Sequence, residues 1–167
     1  AYIASNLTSV TPLHARNWMD YCLSPRGTTA LAKEREKNGH PEPFNVPFWG
    51  VGNENWGGGG NMRPEYYADE YRRFSALMRN VSRTAELYAC GTDGFDYSWT
   101  HGVMPTLKTS EKHLNGFAMH YYCGFAGDPL TFTEDEWDQQ IKQALRMEEI
   151  IERNWNIISA HGMQKNC

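Results

Sequence analysis

The 167 residues contain no CxxC pair and no cysteine beside a histidine at metal-ligand spacing. There are only four cysteines in all, Cys22, Cys90, Cys123 and Cys167. A chain of this size needs no covalent staples to hold a core together, so all four read as free thiols. No apolar run approaches the roughly 20 residues that cross a bilayer, so no membrane partner is expected. Ala1 to Ser5 lack both an initiating Met and the basic start of a secretory signal. The sequence therefore reads as the interior of a longer gene product, with the compartment open and the cytoplasm favoured. Charge of one sign is scarce too: 16 Lys and Arg against 20 Asp and Glu leave a net −4 without a long acidic or basic run, which argues against nucleic acid. The glycine run Gly57 to Gly60 lacks the Lys-Ser/Thr of a phosphate loop and the spaced glycines of a dinucleotide fold; it reads as a tight turn beside Glu54.

Aromatic residues are plentiful, at 13% with six Trp and nine Tyr. Such rings pack cores, and they also stack on sugar faces. Ala1 to Ala4 is a short strand, and a helix follows with Thr11 as cap and Pro12 in its first turn, burying Ala15, Trp18, Met19 and Cys22. A polar helix over Ala30 to Lys37 ends in turns at Asn38-Gly39 and Pro41, leading into a buried strand over Phe48 to Gly52. After the glycines, Pro64 opens a long helix with Tyr67, Tyr71, Phe74, Met78 and Val81 on one face. The unit repeats: a strand over Glu86 to Ala89, a loop over Cys90 to Tyr97, a short helix near Trp99 to Leu107 and a strand over Leu114 to Tyr122. A final helix opens with a capping box, Thr133 and Glu136, and continues as one apolar-faced element through Trp137, Ile141, Leu145, Ile151, Trp155 and Ile158. Strands alternating with helices imply a parallel sheet, doubly wound or closed into a barrel.

In both architectures chemistry gathers at the carboxyl ends of the strands. Glu54, just past an apolar strand, stands there with Asn53 beside it. A carboxyl so placed can serve as a proton donor, or simply cap the next turn. By itself His120, near the end of a strand, fits a satisfied structural histidine better than a catalytic one.

The run from Phe48 to Met62, FWGVGNENWGGGGNM, closely resembles the acid/base strand and loop of family 51 glycoside hydrolases, the α-L-arabinofuranosidases. The resemblance extends through Ala15-Arg16-Asn17-Trp18, Tyr21-Cys22, Ser24 to Gly27, Asn38 to Pro41 and Pro64 to Ala68, and so covers nearly the whole chain. It implies the central part of a (β/α)8 TIM barrel, about strands three to six, with residues 1–167 forming a partial catalytic barrel domain. It implies Glu54 as general acid/base at the end of the fourth strand, with Asn53 binding the substrate near its 2-hydroxyl. Met119-His120-Tyr121-Tyr122 looks like the family's sixth-strand run, which gives His120 and Tyr122 to the sugar site. Trp56 and Trp99 are weaker candidates for packing against sugar from loops at the barrel mouth. Two positions depart from the family: Gly58 stands where Cys is frequent, and His14 where an acidic residue often completes the cap begun by Thr11.

Glu134-Asp135-Glu136-Trp137 imitates the family's nucleophile strand but falls at a helix start. The nucleophile is therefore expected beyond these 167 residues, and the isolated chain is expected to be inactive. The activity implied is retaining hydrolysis of terminal arabinofuranosyl groups from arabinan or arabinoxylan-type glycans, without metal or organic cofactor. Homo-oligomerisation of the parent stays an open expectation. A related retaining glycosidase acting on xylosides or glucans, or a non-catalytic sugar-binding remnant, are the alternatives.

Overall fold

A computed structural model describes residues 1–124, 127–128 and 130–165. Its strands and helices alternate: β1 (Tyr2–Ser5), α1 (Pro12–Leu23), α2 (Ala30–Lys37), β2 (Phe48–Val51), α3 (Pro64–Met78), β3 (Glu86–Asp93), α4 (Tyr97–Lys108), β4 (Gly116–His120), α5 (Glu134–Ala144) and α6 (Met147–Ala160). The four strands form one parallel sheet in the order β1-β2-β3-β4. All four carboxyl ends therefore lie on one rim, the property that positions the site. No helix among the described residues is long and apolar enough to cross a membrane.

Alternation along the strands sends Trp49, Val51, Leu87 and Ala89 to the face covered by helices, where all four are buried. The long helix α3 packs between α1 and α4. Its Tyr67, Tyr71, Phe74 and Met78 recur at helical spacing and are fully buried, as their periodicity predicts. Val81 lies past the helix end and is partly buried against the same core. Trp18, expected in the core, is exposed, and its ring meets Trp49 edge to face at 5.6 Å. Thr11 caps α1 by position only, because its hydroxyl is paired at 3.1 Å with Nδ1 of His14.

β3 is longer than the sequence suggests. Cys90-Gly91-Thr92-Asp93 reads as loop because of its glycine and polar residues, but β4 supplies a partner as far as Asp93, opposite His120, across a bulge.

The expected single C-terminal helix is two. The Gln143 carbonyl accepts from the Arg146 N–H at 3.1 Å and from the Tyr121 hydroxyl at 2.8 Å, so it turns away from the next helical turn, while the Arg146 guanidinium lies 3.8 Å over the Phe95 ring. The predicted apolar face is also mostly uncovered: Trp137, Ile141, Leu145, Ile151 and Trp155 are exposed, and α5 buries nothing. What α6 buries is Ile150, Asn154 and Ile158, with Asn154 accepting from Thr100 of α4 at 2.6 Å. The capping box itself forms, so Glu134 to Trp137 does start a helix.

Arg35 is a charge that α2 hides. It is fully buried, and its guanidinium donates to the carbonyls of Tyr21, Ser24, His40 and Pro41 at 2.6 to 3.1 Å. Five N–H groups in a planar fork can satisfy four carbonyls at once, which makes this burial tolerable without a carboxylate. Cys22, Cys90 and Cys123 are free thiols, and Cys167 lies outside the described residues.

Candidate active site

The Gly52 N–H continues the ladder to Ser5 C=O at 3.1 Å, and the chain then leaves β2. Glu54 follows in the left-handed region with φ of 47°. A non-glycine residue there costs energy and persists only where its surroundings over-determine it. Those surroundings are the glycines. The Glu54 carbonyl accepts from the N–H groups of both Gly57 and Gly59 at 2.9 Å. The Gly59 carbonyl accepts from Asn55 Nδ2 at 2.7 Å and from the Thr8 hydroxyl at 2.6 Å. A Cβ on Gly59 would stand 1.8 Å from the Asn53 carbonyl oxygen, so the loop closes this tightly only with glycine at that position. Gly58, by contrast, faces open space.

His120 ends β4, two strands away from β2, and its Nδ1 lies 2.9 Å from Glu54 Oε1. The two side chains are 29% and 27% exposed, partly sheltered yet open to solvent. Trp56 meets the His120 ring edge to face at 6.4 Å and donates its indole N–H to the Gly91 carbonyl at 2.9 Å. Glu54, Trp56 and His120 thus form one cluster at the rim. Either oxygen of a carboxyl can hold or take a proton, and Oε1 is the one that His120 engages.

Asn53 is exposed at the same rim. It lines a cavity of about 390 Å3 together with Leu7, Thr8, Ser9, Asn55 and Gly58, a wall of mixed polar and apolar groups that includes none of Glu54, Trp56 and His120. Tyr122, just beyond β4, is 79% exposed and points to solvent; its neighbour Tyr121 is the residue that packs, edge to face on Phe95 at 5.7 Å. Trp99 requires correction. It lies inside α4, is 2% exposed, stacks at 5.3 Å on Tyr67 and donates its N–H to the Cys90 carbonyl at 3.0 Å. A ring so enclosed has no face to offer a sugar. A larger concavity of about 710 Å3, between Cys123 and α5 and walled by Phe132, Trp137 and Gln140, includes none of the Glu54 cluster.

Three residues beneath the site carry no functional signal in the sequence. Tyr67, Cys90 and Asn55 are buried directly behind Glu54. The Cys90 sulfur accepts from the Asn55 N–H at 3.5 Å, and burial pushes its thiol up to about 11, so it stays protonated near neutrality. Burial likewise holds the Tyr67 hydroxyl well above its ordinary range. Periodicity gives Tyr67 a buried ring but says nothing about its hydroxyl. Among the described residues no group of three His, Cys, Asp or Glu could hold a metal ion.

Known proteins resemble this chain in sequence and fold. The Alpha-L-arabinofuranosidase 1 domain family matches residues 3–139. The intracellular exo-alpha-L-arabinofuranosidase of Bacteroides ovatus is 33% identical over 98% of this chain and 32% of its own length. Among solved structures, the GH51 arabinofuranosidase from Xanthomonas axonopodis pv. citri superposes with a TM-score of 0.86 at 37% identity, covering 96% of this chain and 33% of that one. The Thermotoga maritima alpha-L-arabinofuranosidase, solved as an arabinose complex, gives 0.80 at 27% identity over 98% and 31%. The chain spans about a third of the length of these relatives. With a family match across most of its residues and likeness over nearly all of them, the chain belongs to the α-L-arabinofuranosidases of glycoside hydrolase family 51.

Proposed function

We propose that the protein carrying this chain is a retaining α-L-arabinofuranosidase that releases terminal arabinofuranosyl groups from arabinose-containing oligosaccharides or polysaccharides. The observation that carries this reading is the 2.9 Å contact between Glu54 Oε1 and His120 Nδ1 at the carboxyl rim of the parallel sheet. In the same reading the four strands are consecutive members of a (β/α)8 barrel, about the third to the sixth, within a catalytic domain that includes residues 1–167.

Retaining glycoside hydrolysis needs two carboxyl groups about 5 to 5.5 Å apart. Glu54 takes the first role. Its protonated carboxyl gives a proton to the glycosidic oxygen as the C–O bond breaks, while a second carboxylate, expected from sequence outside these 167 residues, attacks the anomeric carbon. Glu54, now a carboxylate, then removes a proton from the water that cleaves the glycosyl-enzyme. His120 holds Oε1 in place for both transfers. Asn53 offers its carboxamide to the sugar hydroxyl nearest the reacting carbon, and Trp56 and Tyr122 border the space the glycan enters. The chemistry calls for no metal or organic cofactor.

The test is Glu54→Gln in the full-length protein, assayed on aryl α-L-arabinofuranosides and on arabinan. Loss of a general acid/base costs about 10²- to 10⁴-fold, and the loss should be greatest on arabinan, whose sugar leaving group cannot depart without a proton. Turnover of arabinan at the unmodified rate would exclude Glu54 from the reaction.

A further inference from the structure

In a parallel pair with Val51 opposite Ala89, the Cys90 N–H is the natural donor to the Val51 carbonyl. Here a side chain comes between them. The Cys90 N–H donates to the Tyr67 hydroxyl oxygen at 2.5 Å, and that hydroxyl donates onward to Val51 C=O at 2.7 Å. One phenol from α3 is thus spliced into the ladder at the last residue of β2, where the chain must turn.

The other flank of the turn is tied to the same residue. Asn55 follows Glu54, and its N–H donates to the Cys90 sulfur at 3.5 Å. The thiol has its own acceptor, the Gly91 carbonyl at 3.6 Å, which leaves the sulfur lone pairs facing Asn55. The indoles of Trp99 and Trp56 occupy the carbonyls of Cys90 and Gly91, while the buried Oδ1 of Asn55 has no hydrogen-bond partner. Tyr67, Cys90 and Asn55 are at most 3% exposed, and water does not compete for these bonds.

We propose that Tyr67 and Cys90 are positioning residues for Glu54: the hydroxyl bridges β2 and β3 at Val51, the sulfur holds the Asn55 amide, and the turn between these tethers cannot relax the left-handed Glu54. This rests on Glu54 being the proton donor. Neither residue touches substrate. Each acts through the direction in which the carboxyl points, so its loss should be felt only where proton donation limits the rate.

The experiment measures kcat/KM of the full-length protein on aryl α-L-arabinofuranosides whose phenols span a range of acidity. Acidic phenols leave without help; weakly acidic ones need the proton. In Tyr67→Phe and Cys90→Ala, kcat/KM on the least acidic phenol should fall about tenfold or more, as expected for a misdirected catalytic group, and stay close to wild type on the most acidic. Cys90→Ser, which keeps an acceptor, should recover part of the loss. Tyr71→Phe removes a hydroxyl of the same helix that donates to His113 C=O at 3.1 Å, before β4, and should keep the wild-type dependence. An equal loss across all phenols, wild-type rates in both variants, or the same steepening in Tyr71→Phe would overturn the proposal. Full turnover of the least acidic substrate by Glu54→Ala would instead remove the reading beneath it. Amide exchange at Cys90 and Asn55 reports the tethers independently of that reading: it should quicken in Tyr67→Phe and Cys90→Ala respectively, and unchanged exchange would also overturn the proposal.

Discussion

Glu54 and His120 are 66 residues apart in the chain and 2.9 Å apart in space. His120 ends β4 and Glu54 lies in the turn just past the end of β2, and β3, the strand between them, brings Asp93 level with His120. Their contact is therefore a product of parallel register, which puts the ends of β2 and β4 on one rim.

His120→Ala removes the group that fixes Oε1. The partly exposed pair should contribute little to stability, roughly 0 to 1 kcal/mol, so the melting temperature should hold within a few degrees. Turnover of substrates with poor leaving groups should fall by about 10- to 100-fold, with KM little changed. Steady-state kinetics beside thermal denaturation checks both. A large drop in melting temperature with unaltered turnover would make His120 structural.

Gly59→Ala and Gly58→Ala form a matched pair. The first places a methyl 1.8 Å from the Asn53 carbonyl, and the second meets nothing within 4 Å. Overpacking of this kind costs about 1 to 3 kcal/mol, and the displaced backbone carries Glu54 with it, so Gly59→Ala should lose both stability and activity. Gly58→Ala should keep its stability. Comparable behaviour of the two would mean the loop is looser than its hydrogen bonds indicate.

Trp99→Phe separates packing from recognition. It leaves the Cys90 carbonyl without its indole donor, a loss of about 1 to 3 kcal/mol for a buried group, visible in chemical denaturation. KM for arabinosides should not move. A raised KM at unchanged stability would return Trp99 to the sugar site.

The α5 capping box titrates. The Thr133 backbone N–H, and after it the Thr133 hydroxyl, donates to the Glu136 carboxylate and holds its pKa below the ordinary 4.5. A lowered folded-state value means that the stabilisation is fully present above the unfolded value and is lost as pH falls through the folded one. The Thr133 amide resonance should therefore shift with a midpoint below 4.5, and in Glu136→Gln it should not titrate in that range.

Much of this arrangement was legible in the residues. The α3 stripe announces itself because tyrosine, phenylalanine and methionine recur at helical spacing. Glu54 stands at a strand end because an apolar run stops beside it, whereas His120 falls inside its predicted strand and is assigned to the site only by the family resemblance. The errors have a common physical origin: a pattern shows which face is apolar, but not what lies against it. Trp99 and Trp56 both follow strands and look alike in sequence, yet one is enclosed by Tyr67 and Cys90 while the other borders His120. Trp137 and Trp155 lie on an apolar stripe that the described residues leave exposed. Arg35 and the Tyr67 hydroxyl were invisible for a related reason, since their partners are backbone atoms brought together only by folding.

The strand order β1-β2-β3-β4 also bears on how the chain can assemble. Every strand pairs with the one before it in sequence, so each new crossover closes a loop of only a few tens of residues and adds to an edge already in place. No pair has to reopen to admit a latecomer. Because loop-closure entropy rises only slowly with length, crossovers of this size add little to the cost of bringing Glu54 and His120 to one rim.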